Sequence, residues 1–188
     1  MKITAGNLKK GDFISHQGEV WQIQKADFYS PGKGSALMKT RIKNLLSGKN
    51  IDYTFKSNEE VEAVEVESVE MQYLYKDEQD LHFMNERTYH QYTLPLEVVG
   101  DVANFLQDGN KYFVYLYHDK PLTIKPPMSV RLKVIQTEEA IKGDTVTGAK
   151  KPAQLETGVT IQVPLFVKTG DIVIVNPETG QYVERVKS

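Results

Sequence analysis

The sequence predicts an all-β protein built from several small barrels. Alternation of apolar and polar residues with a period of two recurs along most of the chain, and Gly, Pro, Asn and Asp turns separate these short runs. Only residues 94–106 show the pattern of a helix. Many short strands with one small helix are typical of small barrels and not of an α/β enzyme fold.

Residues 20–28 and 35–44 are predicted to form the two long strands of the first block. Within the second strand, Met38 and Ile42 share one face with Thr40. The opposite face carries Lys39, Arg41 and Lys43, because successive side chains of a strand point in opposite directions. The loop at 29–34 should therefore stand away from the core at the end of a long hairpin.

The rest of the chain repeats this pattern in two further blocks. Strands are predicted near residues 51–55, 64–75, 81–85, 88–93, 111–117, 129–136, 159–167, 172–175 and 182–186. The helix at 94–106 would bury Leu96, Val99, Ala103 and Leu106. Pro126 and Pro127 mark a linker. The predicted domains are residues 1–63, 64–127 and 128–188.

Charge divides the chain in a similar way. The 188 residues carry a formal net charge of −2 and no cysteine, which excludes disulfides and thiol chemistry. Residues 1–63 have a net charge of +3, residues 64–127 of −6, and residues 128–188 of +1. A basic first block predicts that one end of the molecule contacts a polyanion. The alternative is an ordinary solvated face rich in lysine.

Membrane and metal sites are not expected. The uncharged stretch at 157–167 has 11 residues, whereas a membrane-spanning helix needs about 18, so we expect a cytoplasmic protein. The four histidines are scattered without the spacing of metal ligands, although His82 and His90 flank Glu86. Gly32-Lys33 lacks the spacing of a phosphate-binding loop. Because no catalytic motif is present, we do not expect an enzyme.

The segment Ser30-Pro31-Gly32-Lys33-Gly34 is the most unusual part of the sequence. Proline and glycine are common turn residues, so a simple hairpin turn is one interpretation. In the other interpretation, the flanking glycines leave Lys33 as a single long cation at the end of the hairpin. A strand of eight residues extends roughly 25 Å, so this tip could enter a place that the body cannot.

With these residues, the whole chain resembles the bacterial elongation factor P family. The tip Pro31-Gly32-Lys33-Gly34 carries part of the resemblance. The stronger part is carboxy-terminal, and comprises Lys142-Gly143-Asp144-Thr145, Val163-Pro164-Leu165-Phe166-Val167 and the segment at 180–186. One departure is the stretch at 148–151, where small residues are expected before Lys151.

The resemblance implies an SH3-like domain of KOW type followed by two OB-like domains, in an L-shaped arrangement similar to a tRNA. It implies a monomeric translation factor without a cofactor, which binds the 70S ribosome and ribosomal RNA beside the peptidyl-tRNA and relieves stalling at consecutive prolines. Lys33 would be extended after translation by a lysyl-tRNA-synthetase-like ligase, which adds a β-lysyl group in the subfamily with this tip.

The resemblance also implies a set of RNA contacts beyond Lys33 and the tip residues. These are Lys39, Arg41 and Lys43 in the first domain, and Gly143, Asp144, Thr145, Tyr182 and Arg185 in the third. Two alternatives remain. The chain could be a general RNA-binding protein of KOW and OB domains with an unmodified turn at 31–34. It could also be an enzyme acting on an acidic or nucleotide substrate.

Overall fold

The computed structural model describes residues 1–140 and 147–186. Its strands form three antiparallel sheets that follow one another along the chain, and each sheet packs around an apolar core of its own. The predicted all-β architecture of small barrel-like units is confirmed. In these two described stretches, no helix is long and apolar enough to cross a membrane.

The first sheet has six strands in the order β1-β6-β2-β3-β4-β5. They are β1 (Lys2–Thr4), β2 (Phe13–His16), β3 (Glu19–Tyr29), β4 (Leu37–Asn44), β5 (Asn50–Lys56) and β6 (Glu60–Ala63). β3 and β4 form the predicted long hairpin. In β4, Met38 and Ile42 are buried whereas Lys39 and Arg41 are exposed, which confirms the predicted alternation. The Thr40 hydroxyl donates to the Tyr53 carbonyl at 2.7 Å, so its burial is compensated.

The second sheet has five strands in the order β11-β10-β7-β8-β9. They are β7 (Glu67–Lys76), β8 (Asp80–Met84), β9 (Gln91–Pro95), β10 (Lys111–Tyr117) and β11 (Lys120–Ile124). Burial within this core raises the pKa of Tyr73 to about 12, with a further contribution from Asp108. The phenol of Tyr73 therefore stays neutral inside the unit.

The predicted helix at 94–106 is much shorter in the structure. α1 (Leu96–Val99) has a single turn, and a 3-10 turn follows it at Gly100–Phe105. Gly100 has φ +74° and ψ −152°, which no α-helical residue adopts, so the helix ends there. The predicted apolar face is nevertheless present, because Leu96, Val99, Ala103 and Leu106 all pack on the second core.

The third sheet has five strands in the order β14-β13-β12-β15-β16. They are β12 (Val130–Thr137), β13 (Lys150–Leu155), β14 (Thr160–Pro164), β15 (Ile172–Asn176) and β16 (Gln181–Arg185). β13 was not predicted, because Pro152 interrupts its pattern. The three sheets end at Ala63, Ile124 and Arg185; the domain limits 1–63, 64–127 and 128–188 stay a prediction.

The segment around α1 connects all three units. Its Val98 is buried with Phe13 and Leu45 of the first unit in a separate apolar cluster. Beside them, the rings of Phe13 and Tyr115 meet edge-on with centroids 4.9 Å apart. Phe105 is buried in the core of the third unit, although it ends the 3-10 turn between β9 and β10 of the second unit. These contacts set where the first sheet lies relative to the others.

Candidate nucleic-acid interface

The tip loop lies between β3 and β4 and packs against almost nothing. Ser30, Gly32, Lys33 and Gly34 are exposed, and Pro31 is partly buried. A Cβ placed on Gly32 would meet no atom within 4 Å, and one on Gly34 only the Pro31 Cγ at 3.9 Å. Gly34 has φ +108°, which favours glycine, whereas Gly32 lies outside this range of φ. The loop therefore presents Lys33 as the sequence predicted.

A β-bulge in β3 decides which residues share a face with the cations of β4. The register of the β3–β4 pair shifts between Ile23 and Lys25. Without the extra residue, Lys25 would point to the core side with Trp21 and Ile23, since side chains alternate. With it, Lys25 lies opposite Arg41 on the outer face. Strand alternation in the sequence could not show this change of register.

The outer face of β3, β4 and β5 carries more cations than the predicted stripe. Directly opposite residues of antiparallel strands point to the same side. Lys25 and Asp52 lie opposite Arg41 on either side, and Asp27 lies opposite Lys39. Lys56 lies opposite Leu37. The cations of this outer face are Lys25, Lys39, Arg41, Lys43 and Lys56, and its carboxylates are Asp27 and Asp52.

Two ion pairs on the outer face are exposed to solvent. The Lys25 ammonium lies 2.8 Å from the Asp27 carboxylate, and the Arg41 guanidinium lies 3.5 Å from that of Asp52. The hydrogen bond to Asp27 raises the pKa of Lys25. Exposed pairs of this kind contribute about 0–1 kcal/mol. Phosphate groups could therefore replace the carboxylates at little cost, and the outer face retains an excess of positive charge.

Tyr29 adds an aromatic ring to the same face, close to the tip. It lies opposite Leu37, and about half of its surface is exposed. The Lys39 ammonium lies over its ring, 4.6 Å from the centroid, within the range of a cation–π contact. Tyr29 was not predicted as part of this face. Tyr29 lies two residues after Asp27 and therefore points to the same side of β3. That this side is the outer face follows only from the bulge, which places Asp27 opposite Lys39.

Lys43 occupies a different environment from Lys39 and Arg41. It is at the opposite end of β4 and half-buried, in a groove lined also by Gln22, Glu97 and Asp101. This burial lowers the pKa of Lys43, and the carboxylate of Asp101 acts in the opposite direction. The structure thus divides the predicted stripe into two exposed cations and one cation at the junction of the first two units.

Tyr182 and Arg185, the predicted RNA contacts of the third unit that the structure describes, differ in their burial. Tyr182 is partly buried against the third core, and burial raises its pKa. Arg185 is exposed, with its guanidinium 3.3 Å from the Asp171 carboxylate and 5.1 Å from the centre of the Phe166 ring. Gly143, Asp144 and Thr145 lie outside the described residues.

The histidines of the second unit are engaged elsewhere. The Glu86 carboxylate pairs with Lys111 at 2.6 Å and does not bridge His82 and His90. The His82 ring stacks on Tyr75 and lies 2.7 Å from the Asp77 carboxylate. Its hydrogen bond, with two from backbone amides, lowers the pKa of Asp77 to about 2. Across residues 1–140 and 147–186, no three His, Asp or Glu side chains are grouped so as to hold a metal.

Comparison with known proteins decides the family. Three family models match the chain in order: the elongation factor P KOW-like domain at residues 4–61, the elongation factor P OB domain at 66–124, and the elongation factor P C-terminal domain at 130–185. Elongation factor P of Aquifex aeolicus is 42% identical over 186 residues, covering 99% of this chain and 97% of its own. The chain belongs to the elongation factor P family.

Other comparisons agree with this family and with the fold. Elongation factor P of Moorella thermoacetica is 43% identical over 183 residues, covering 97% of this chain and 99% of its own. Among solved structures, a eukaryotic translation initiation factor 5A from Methanococcus jannaschii superimposes with a TM-score of 0.50 at 18% identity. It covers 67% of this chain and 92% of its own. At this low identity the superposition indicates a shared fold only.

Proposed function

We propose that this chain is a translation elongation factor that binds the ribosome beside the peptidyl-tRNA and promotes peptide-bond formation at consecutive prolines. Membership of the elongation factor P family supports the role in elongation. The observation that carries the rest is the tip: Lys33 is exposed at the end of a hairpin whose glycines meet almost no other atom. It acts in the cytoplasm as a monomer.

The tip can position a substrate, but it offers no catalytic group. Lys33 is exposed on a loop between two glycines, and a Cβ placed on either glycine would meet no acidic or basic group within 4 Å. Peptide-bond formation requires two tRNA ends in a reactive geometry, and the rigid ring of proline resists this geometry. Holding a mobile tRNA end converts lost freedom into rate without chemistry by the protein. We therefore assign this chain a positioning role and not that of an enzyme.

Lys33 also has the access that a modifying enzyme needs. A lysyl-tRNA-synthetase-like ligase would transfer a β-lysyl group from an activated acyl donor to the neutral Lys33 Nζ, forming an amide while the nitrogen loses a proton and the donor's leaving group departs. The open loop lets a ligase approach without unfolding the protein, and the extended side chain reaches further from the sheet. The exposed cations of the outer face would meanwhile contact phosphates of the tRNA or ribosomal RNA, since the ion pairs of Lys25 and Arg41 lie in solvent and are weak.

The test compares translation of a Pro-Pro-Pro reporter with a proline-free reporter in a purified system. Modified wild type should accelerate the first reporter, and Lys33→Ala should not. Lys120→Ala, which removes an exposed lysine of β11, is the matched control and should behave as wild type. Lys33→Ala should change the free energy of unfolding by no more than about 0.5 kcal/mol, because the side chain is at the surface.

Two results would count against this proposal. If Lys33→Ala accelerates the proline reporter as well as modified wild type, Lys33 is not the functional residue. If the peptide containing Lys33 has its unmodified mass in protein from the native host, the chain is better described as a general RNA-binding protein. The turn at 31–34 would then be only a turn.

A further inference from the structure

The turn that joins β4 to β5 is held by several hydrogen bonds at once. The Asn44 side-chain oxygen accepts from the Leu46 and Ser47 amides at 2.8 and 2.9 Å. The Gly48 amide donates to the Asn44 carbonyl at 3.0 Å, and the Asn44 amide donates to the Lys49 carbonyl at 2.8 Å. Gly48 has φ +72° in this turn. These hydrogen bonds restrict the movement of Gly48 relative to the segment packed against it.

Gly48 faces the backbone of α1 in the second unit. A Cβ placed on it would lie 2.5 Å from the Glu97 carbonyl oxygen and 3.0 Å from the Glu97 carbonyl carbon. Real Cβ atoms essentially never approach another atom to less than 3.0 Å. The obstacle is backbone and cannot rotate away as a side chain would. Any residue other than glycine must therefore separate the turn from α1.

The surroundings of this contact do not allow an easy local adjustment. Leu45, next in the same turn, is buried with Phe13 and Val98. Val98 follows Glu97 directly, so the apolar cluster and the close contact lie on the same short helix. Protein interiors are packed too densely to absorb an added atom without a shift. The shift available is a displacement of the whole first sheet relative to α1.

We propose that Gly48 is a positioning residue, whose lack of a side chain sets the spacing between the first sheet and α1 and thereby the reach of the Lys33 tip. The role of the tip rests on the proposed function above. β4 connects the two places directly, since the tip loop precedes Leu37 and the Gly48 turn follows Asn44. A displacement at one end of this stiff strand is transmitted to the other end.

The geometric part is tested by measuring one distance in solution. The chain has no cysteine, so Thr54→Cys in β5 and Gln91→Cys in β9 provide two exposed sites for spin labels. Gly48→Ala should shift the mean distance between the labels, because the contact must open from 2.5 Å past 3.0 Å, toward the 3.4 Å at which ordinary van der Waals contact begins. Gly18→Ala is the matched control, since Gly18 has φ +82° but no atom within 4 Å of its Cβ position.

The functional part uses the Pro-Pro-Pro reporter over a range of factor concentrations. Gly48→Ala should lower the maximal rate by about tenfold or more, because a misplacement near 1 Å can reduce a rate about a hundredfold. The concentration for half-maximal effect should stay close to that of Gly18→Ala, since the cations of the outer face are unchanged. If strain at a positive φ only destabilised the protein, Gly48→Ala and Gly18→Ala would both lose activity, each in proportion to its unfolded fraction.

Clear outcomes would overturn the proposal. Equal label distances in Gly48→Ala and Gly18→Ala would show that Gly48 does not set the spacing. A shifted distance with an unchanged maximal rate would show that the spacing does not matter for the tip. If modified wild type and Lys33→Ala are equally active, the proposed function fails instead, and the label distances still decide the geometric part.

A second variant covers the case in which Gly48→Ala does not fold. Asparagine tolerates a positive φ better than alanine does, yet it has the same Cβ. Gly48→Asn, compared with Gly18→Asn, should therefore retain the fold and still shift the label distance. If Gly48→Asn folds with the label distance of Gly18→Asn, the proposal is wrong.

Discussion

β4 ends in a glycine-containing turn on each side, and the two turns differ in what surrounds them. On the tip side, a Cβ on Gly32 would meet nothing within 4 Å. On the junction side, a Cβ on Gly48 would lie 2.5 Å from the Glu97 carbonyl oxygen. Leu45 beside Gly48 is buried, whereas Lys33 between Gly32 and Gly34 is exposed.

The difference between the two turns shows two physical roles of glycine. At the tip, the absence of side chains keeps Lys33 clear of its own protein, so the cation can meet a partner. At the junction, the absence of a side chain permits direct contact between two backbones, so the first sheet has one position on α1. β4 therefore has a free end at the tip and an anchored end at the junction, which suits the proposed placement of Lys33.

The largest expected effect is the loss of the anchor. Leu45→Ala should lower the free energy of unfolding by about 2–5 kcal/mol, as for other buried leucines. Its neighbour Leu46, which is 76% exposed against 6% for Leu45, provides the control. Leu46→Ala should cost no more than about 0.5 kcal/mol. Urea unfolding followed by the fluorescence of Trp21, the only tryptophan, reports on the first unit.

Equal losses for the two leucines would contradict the contrast between the turns. A small loss for Leu45→Ala would mean that the first unit keeps its fold without the junction cluster. The junction would then be a contact between independently stable units and would not anchor the strand.

The next largest effect concerns the salt dependence of ribosome binding, which should differ between the two exposed cations of β4 and Lys43. If ribosome binding involves phosphates, each lost contact should reduce the log–log salt slope by about 0.7–0.9. Lys39→Gln combined with Arg41→Gln should therefore reduce the slope by about twice this amount. Lys43→Gln should reduce it less, because Lys43 is half-buried beside Asp101. Ribosome affinity measured between low and moderate salt gives all three slopes.

A fall in slope for Lys43→Gln that is half or more of the fall in the double variant would place Lys43 on the interface. An unchanged slope in the double variant would show that the outer face is only solvated.

The smallest expected effect concerns the free turn. Gly34→Ala should cost about 1 kcal/mol, because φ is +108° at this position and an alanine is strained there. Gly32→Ala should cost no more than about 0.5 kcal/mol, since its Cβ position is open. In neither variant should the distance between labels at Thr54→Cys and Gln91→Cys change. A change in that distance would mean that the tip is coupled to the junction.

Several features of the first unit could be predicted from local pattern because they depend on near neighbours in the chain. The burial of Met38 and Ile42 follows from alternation along one strand. The exposure of Lys33 follows from turn residues that cannot continue a strand. The bulge after Ile23 could not be predicted, because its evidence is the pairing with β4 and not the pattern of β3. Lys25 and Tyr29 were therefore missed as members of the outer face.

The predicted helix at 94–106 shows the same limit in another form. The four residues predicted for its apolar face do pack on the second core, but the helical pattern did not select Val98 or Phe105. The structure ends α1 before Gly100 and directs the side chains to different partners. Val98 joins Leu45, Val99 joins the second core, and Phe105 joins the third. Hydrophobic periodicity identified the face that packs on the second core and missed the two residues that other apolar clusters receive.

The sequence by itself determined the all-β class, the apolar side of β4, the tip and the family, because these depend on residue types within a few positions of one another. Only the tertiary structure separated Lys43 from Lys39 and Arg41 and brought Gly48 against Glu97. Those features require segments far apart in the chain to meet. Burial of apolar surface stabilises the contact between such segments, and close packing limits how near they can approach. Neither effect can be deduced from the pattern of neighbouring residues.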